Sequence, residues 1–474
     1  MPSDIPERQG TPGTPPKLSP STLPAAADLE VSKVEEEDVT GVVFSPELWM
    51  QRRSWAMDVL RNEGVRSVLD IGCGPGALLE TLVVPPSSVY EEPIRSLAKA
   101  KGSHLPSPVD SLDELAEGSE LFIDRLAALD PSPSYMPPAL SIMSTPPSPT
   151  SSFSPAAQPR WEPLHTELWL GGIEKYNARL EGYEAITCLE VIEHLDPNVL
   201  SRFGVVTMGT YRPRLLLVTT PNFDFNAKFP RAADHDFAKV GFMDPTGRTE
   251  RVFRHSDHKL EMTSGEFREW ATSAAADWGY DVELGGVGIS NKPSYYPADD
   301  PHLPNQPIYA TQTAIFRLEA LPARSPRSVR SSQLPFMPGS KESSHSHKLA
   351  GKFVHPPTVE AKTKLLPEQV VDMVKETLAQ WNVGQVSIGE LWARSDISLA
   401  CAGSKRYFVS CLGGWGDCPP ARQGGAGECE VYNERGQGLS VRWKSFQPVT
   451  TERHQSWGSE QRELEGPSEK TGGW

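Results

Sequence analysis

The sequence predicts an α/β fold, a Rossmann-like and mostly parallel sheet with helices on both faces. Three observations carry that expectation. Apolar, strand-like runs recur along residues 42–317, helical stretches lie between them, and the first run leads into a glycine turn, Gly72-Cys73-Gly74-Pro75-Gly76. Strands that alternate with helices pair in parallel, because each crossover helix returns the chain to the same end of the sheet.

Residues 1–41 hold few apolar side chains and run into the acidic stretch Glu35-Glu36-Glu37-Asp38, so a disordered tail is expected there. One domain is expected over 42–319. It begins with a helix-like stretch around 55–60 and the strand Ser67–Ile71. Pro-, Ser- and charge-rich sequence breaks the rhythm at 85–119 and 145–160, which read as loop insertions. Further strands are expected at 121–129, 166–171, 185–189, 214–219, 281–287 and 308–317, with a helix at 264–276. Residues 320–358 read as a Ser/Pro/His-rich linker. A small helical or mixed segment is expected over 359–412, with one amphipathic helix and a short apolar segment across 367–392. Residues 413–474 show no periodicity, and disorder is expected there.

A chain of 474 residues has length for two or three domains, but 45 prolines argue for one sizeable core. The six cysteines form no regular extracellular ladder, so reduced thiols are expected. No apolar run is long enough to span a bilayer and the N-terminus lacks a signal-like stretch, which points away from membranes and towards cytoplasm, nucleus or both. The net charge of -15 disfavours a long phosphate-tracking groove and favours short, end-focused contact with any nucleic acid.

The strand Val68-Leu69-Asp70-Ile71 meets glycines spaced G-x-G-x-G, where absent side chains admit a nucleotide-like cofactor. This is the spacing of class I S-adenosylmethionine-dependent methyltransferases rather than the G-x-G-x-x-G of dinucleotide folds. Gly72, Gly74 and Gly76 are the expected cofactor contacts, and Asp70 holds either the turn or the methionine ammonium. Asp130, after the second strand, is the candidate for the cofactor ribose, with Asp124 as the alternative. Asp130 also reads simply as a turn-starting residue before Pro131.

After the apolar run at 185–189 comes Glu190-Val191-Ile192-Glu193-His194-Leu195. On a helical turn Glu190, Glu193 and His194 share one face and offer oxygen and nitrogen donors to a divalent ion, although solvated helices carry such triplets too. His258, in Arg254-His255-Ser256-Asp257-His258, is a candidate fourth ligand. Asp257 or Glu261 would support it, and His255 is the alternative ligand. Thr219-Thr220-Pro221-Asn222 either lines a substrate pocket or turns the chain.

Taken in order, residues 42–317 resemble the small-RNA 3′-terminal 2′-O-methyltransferases of plant microRNAs and animal piRNAs. Phe44-Ser45-Pro46-Glu47-Leu48-Trp49-Met50-Gln51-Arg52 is similar to the family's F-x-P-P-L-x-x-Q-R. Glu190 to Leu195, Thr220-Pro221-Asn222 with Phe225-Asn226, and Asp257-His258-Lys259 follow its later motifs. The resemblance implies that Glu190, Glu193, His194 and His258 hold Mg²⁺, Mn²⁺ or Co²⁺ and form the catalytic set. It places Gln51, Arg52, Thr220 and Asn222 on the substrate side. It further implies an S-adenosylmethionine donor, a small RNA 3′ end that is single-stranded rather than duplex, and an Argonaute-type partner. The chain departs from the pattern at Glu47, at Leu260-Glu261-Met262-Thr263-Ser264 where the family has F-E-W-T-R, and in its insertions. Two other readings stand beside it: an O-methyltransferase for a small metabolite, and a non-catalytic protein that binds RNA ends.

Overall fold

The computed structural model describes residues 42–90, 120–144, 159–228, 241–290, 307–319, 347–358, 363–413, 427–434 and 438–449. The expected tail and most of both expected insertions lie outside the described residues. Strands β1 (Ser67–Ile71), β2 (Arg125–Asp130), β3 (Leu164–Leu170), β4 (Ala185–Leu189), β5 (Leu215–Pro221), β8 (Tyr280–Ile289), β9 (Tyr309–Leu318) and β10 (Lys348–His355) build one sheet. The short β6 (Phe242–Met243) and β7 (Val252–Phe253) form a separate ribbon. The large sheet runs β10-β3-β2-β1-β4-β5-β9-β8. Its five central strands are parallel, β9 is antiparallel to both β5 and β8, and β10 is antiparallel to β3. This is the class I methyltransferase topology that the sequence predicts, with one extra edge strand.

Burial on both faces explains why the inner strands read as continuous apolar runs. Side chains alternate between two core layers. Leu69 and Ile71 of β1, Ala127 and Leu129 of β2, and Leu216 and Val218 of β5 enter one; Val68, Leu126, Ala128, Leu215 and Leu217 enter the other. Helix α1 (Leu48–Asn62) brings Ala56 and Leu60 to the second layer. After the short α2 (Leu79–Leu82), α3 (Met136–Met143) adds Ala139 and Met143 there. On the opposite face lie α4 (Pro197–Gly204) with Phe203 and α5 (Ser264–Trp278) with Phe267, Ala271 and Ala275 at helical spacing. Thr263 and Glu266 close a capping box at the start of α5, which fixes where the chain leaves the preceding loop. Truncating a wholly buried leucine such as Leu69 to alanine costs about 2–5 kcal/mol in such a core.

The strand order reverses between β1 and β4, so a crevice opens beyond their carboxyl ends. Both Gly72 and Glu190 stand there, directly after those strands.

Three expectations change. The strand expected at 121–129 begins only at Arg125. The expected linker at 320–358 contains β10, an edge strand whose register shifts between Leu349 and Gly351, so its alternation is weak in the sequence. Beyond it, the chain continues as α6 (Pro367–Trp381), β11 (Gln385–Ser387), α7 (Ile388–Trp392), α8 (Ser395–Ala400), α9 (Lys405–Cys411), β12 (Cys429–Glu434) and β13 (Gly438–Trp443). The helix expected within 367–392 is α6, ended by the left-handed Asn382, and the stretch from 413 on that was expected to lack structure supplies two strands of a β11-β13-β12 sheet. A separate apolar core, including Val374, Leu391, Phe408 and Val441, holds this module together. It meets the sheet domain where Trp392 Nε1 donates to Ser87 O at 3.0 Å and Lys405 Nζ pairs with Glu120 at 2.6 Å. Among the described residues no helix is long and apolar enough to cross a membrane.

Candidate active site

The glycine turn is a backbone cradle. Gly72 has φ 72°, and a Cβ there would stand 2.5 Å from Val191 Cγ2; at Gly76, with φ 108°, it would stand 2.6 Å from Ile142 Cδ1. Both positions favour glycine by their positive φ, and at Gly72 the branched Val191 adds a steric ground. Gly74 N donates to Asp130 Oδ2 at 2.9 Å, while Asp130 Oδ1 accepts from Ser132 N at 2.8 Å. Asp130 therefore ties the end of β2 to the turn, and each oxygen keeps a lone pair for a further donor. Asp124 lies at the opposite end of β2, paired with Arg66 at 3.0 Å, which removes it as the ribose candidate. Asp70 is buried and accepts from Thr187 Oγ1 at 2.6 Å. Burial, reinforced by the Asp130 charge, pushes its carboxyl up to about 7.

The carboxylates of the next loop do not share a helical face as the sequence suggests. Glu190 has φ 56° and precedes a 3₁₀ turn at Ile192–His194. Its N–H donates to Thr219, its Oε1 accepts from Thr219 Oγ1 at 2.8 Å, and its Oε2 lies 3.4 Å from Arg52 Nη1. Glu193, His194 and His258 do converge, with one potential ligand atom from each lying within 4.8 Å of the others. The two imidazole rings stand 5.0 Å apart at 73°. Glu193 is buried; its Oε2 accepts from Thr220 Oγ1 at 3.0 Å, and its Oε1 has no hydrogen-bond partner among the described residues. Burial and the neighbouring Glu190 raise its carboxyl well above the usual range. Burial also lowers the His194 pKa against the pull of Asp257, favouring the neutral ring. His255, the alternative ligand, is bonded through Nδ1 to Asp257 and forms a second cluster with Asp257 and His258.

Of the substrate-side candidates, three are engaged inside the scaffold. Gln51 bridges Pro46 O and Gly288 N, Thr220 serves Glu193, and the Asn222 amide donates to Tyr309 O and Ser264 Oγ. Arg52 instead reaches Thr311 Oγ1 at 3.3 Å and Glu190.

No family model matches the chain. It is 26% identical over 292 residues to the small RNA 2′-O-methyltransferase of Arabidopsis thaliana, covering 62% of this chain and 25% of that protein. With the enzyme of that name from Rattus norvegicus the identity is 27%, covering 58% of this chain and 52% of the relative. With the Schizosaccharomyces pombe protein it is 30%, covering 52% and 54%. By sequence the chain is similar to the small RNA 2′-O-methyltransferases. It spans a quarter of the plant relative and about half of the others. Among solved structures, that of the small RNA methyltransferase HEN1 superposes with a TM-score of 0.41 at 24% identity, over 66% of this chain and 28% of that one.

The metal ion expected from the sequence motifs is testable against the residues present. A buried carboxylate oxygen without a partner among the described residues, on a side chain that clusters with two imidazoles, is a costly arrangement unless a cation completes it. Glu193, His194 and His258 fit a divalent ion, whereas Glu190 stands outside the tight cluster. Sequence reasoning gave no role to Thr187 or Arg254, which hold Asp70 and Glu261, and did not connect Thr219 with Glu190, which it holds. The available signal was polar threonines inside apolar strands, since a buried hydroxyl has to find a partner.

Proposed function

We propose that the chain transfers the methyl group of S-adenosylmethionine to the 2′-hydroxyl of the 3′-terminal nucleotide of a small RNA. The observation that supports it best is the contact between the two half-sites. Val191, between Glu190 and Glu193, occupies the space that a side chain on Gly72 would need. Cofactor turn and cluster are thus neighbours, as methyl transfer demands, since reacting atoms have to come within about 3–3.5 Å.

Glu193, His194 and His258 would hold Mg²⁺, Mn²⁺ or Co²⁺, with Glu190 as a fourth ligand when it parts from Arg52. Such an ion, when bound, supplies Lewis acidity towards the terminal 2′- and 3′-hydroxyls. Gly72, Gly74 and Gly76 leave room for the methionine portion of the donor, and Asp130 accepts from its ribose with the lone pairs left by Gly74 and Ser132. Arg52, once released by Glu190, is free for an RNA phosphate. Two imidazole ligands make the site softer than an all-oxygen cage, so Mn²⁺ and Co²⁺ should serve at least as well as Mg²⁺. We place the enzyme in cytoplasm or nucleus, acting on single-stranded ends presented by an Argonaute-type protein.

The deciding experiment is transfer of labelled methyl to a short RNA and to its 3′-terminal 2′-deoxy version, each with Mn²⁺ and with chelator. Labelling of the diol RNA alone, and only with metal, is expected. Labelling of both RNAs would refute terminal specificity. Transfer that survives chelator would refute the metal assignment, and failure with every RNA would return the domain to metabolite methylation or to RNA-end binding without catalysis.

A further inference from the structure

Each histidine of the cluster meets a carboxylate through Nδ1. His258 Nδ1 lies 2.8 Å from Glu261 Oε1, and His194 Nδ1 lies 3.2 Å from Asp257 Oδ2. An ionised carboxylate only accepts, so the nitrogen facing it carries the ring proton and Nε2 keeps its lone pair. The two supports differ in quality. Asp257 is exposed and shared with His255, while the Glu261 side chain is completely buried.

Glu261 is itself fixed in place. Arg254 N donates to the same Oε1 at 2.9 Å, Arg254 Nε lies 3.6 Å from Oε2, and Arg254 Nη2 donates to Asn222 O at 2.9 Å. The loop after β5, the arginine, the carboxylate and the histidine thus form one connected unit. A carboxylate sealed from water is expensive to keep, and an apolar side chain would fill the same pocket at less cost. Its presence calls for a task that an apolar residue cannot perform.

We propose that Glu261 is a positioning residue for His258: it sets the ring's tautomer and orientation so that Nε2 is the free donor for a divalent ion, and Arg254 anchors it to the Thr220–Asn222 loop. The inference rests on reading the cluster as a metal site. It reaches beyond the ligands to the residue that prepares one of them.

The test uses the full chain and Mn²⁺ alone as probe. Glu261→Leu keeps the volume and removes the acceptor; it should weaken Mn²⁺ binding in calorimetry by about 10–100-fold while leaving S-adenosylhomocysteine binding unchanged. Glu261→Gln, whose carbonyl oxygen still accepts from Nδ1, should retain Mn²⁺ affinity to within about fivefold. Nitrogen NMR of His258 in metal-free protein should report the Nδ1–H tautomer in the unsubstituted chain and in Glu261→Gln. Equal Mn²⁺ affinity in Glu261→Leu and the unsubstituted chain would overturn this inference alone, as would an Nε2–H tautomer in the unsubstituted chain. No Mn²⁺ binding by the unsubstituted chain would sink the metal reading and this inference with it. Should Glu261→Leu fail to bind S-adenosylhomocysteine, the glutamine variant and the tautomer decide.

Discussion

The cofactor turn and the carboxylate–imidazole cluster touch across Val191, yet they are finished to different degrees. At the turn, the polar groups are already paired within the protein: Asp130 with Gly74 and Ser132, and Asp70 with Thr187. At the cluster, Glu193 Oε1 is buried without a partner among the described residues, and Glu190 is drawn aside to Arg52. A cofactor that spreads many polar groups over a broad surface can be met by a prepared backbone. A site for a single ion instead has to hold charge that nothing in the protein neutralises. The first kind leaves its mark in glycine spacing, the second in side chains whose chemistry is incomplete.

The largest effect that separates the halves is expected from His258→Ala. Methyl transfer should fall at least about 100-fold, while calorimetric binding of S-adenosylhomocysteine stays unchanged. Turnover near the unsubstituted rate would show that the cluster is not part of the chemistry. Gly72→Ala is expected to cross the divide. Its methyl group would drive into Val191, so both cofactor affinity and Mn²⁺ affinity should drop, each by about tenfold or more. A loss confined to the cofactor would mean that the two half-sites are mechanically separate.

Arg52→Met removes the cation that competes for Glu190 and should tighten Mn²⁺ binding by about 3–10-fold even as RNA binding weakens, read in parallel titrations. Unchanged Mn²⁺ affinity would place Glu190 outside the ion's ligand set. The smallest effect concerns Asp70. Its folded pKa is raised to about 7 from 3.8, so its favourable contribution is complete below about pH 3.8 and is lost as the pH climbs to 7. The difference in melting temperature between Asp70→Asn and the unsubstituted, cofactor-free chain should therefore widen in favour of asparagine across that window. A difference independent of pH would contradict the raised pKa.

The parallel core was legible because buried strands are dense apolar runs; the strand expected at 185–189 coincides with β4. Of the edge strands, β8 was anticipated at 281–287, but β10 was not: it is half-exposed, and β12 and β13 interrupt Gly-rich sequence, so none of these three showed a clean period. In the site, spacing identified Glu193, His194 and His258, which converge across different elements. It did not foresee the placement of Glu190, because helical spacing cannot anticipate a left-handed residue, and Glu190 adopts φ 56° where β4 ends. Gln51, Thr220 and Asn222 were assigned to the substrate side and make hydrogen bonds within the scaffold, since a motif fixes which residue is present but not which neighbour takes its hydrogen bonds.

Strand β10 has a consequence for where this protein can be divided. Its residues follow the last motif by a long interval, yet seven of them pair with β3. A fragment trimmed at residue 319, where the expected domain ends, would lose the neighbour of β3 and offer a bare backbone edge, the kind of surface on which chains zip together and aggregate. Supplied separately, the piece beginning at residue 347 carries the matching edge. The sheet is thus completed by a strand from well beyond the motifs, and the smallest fragment that keeps β3 paired on both sides is set by strand pairing rather than by the span of the motifs.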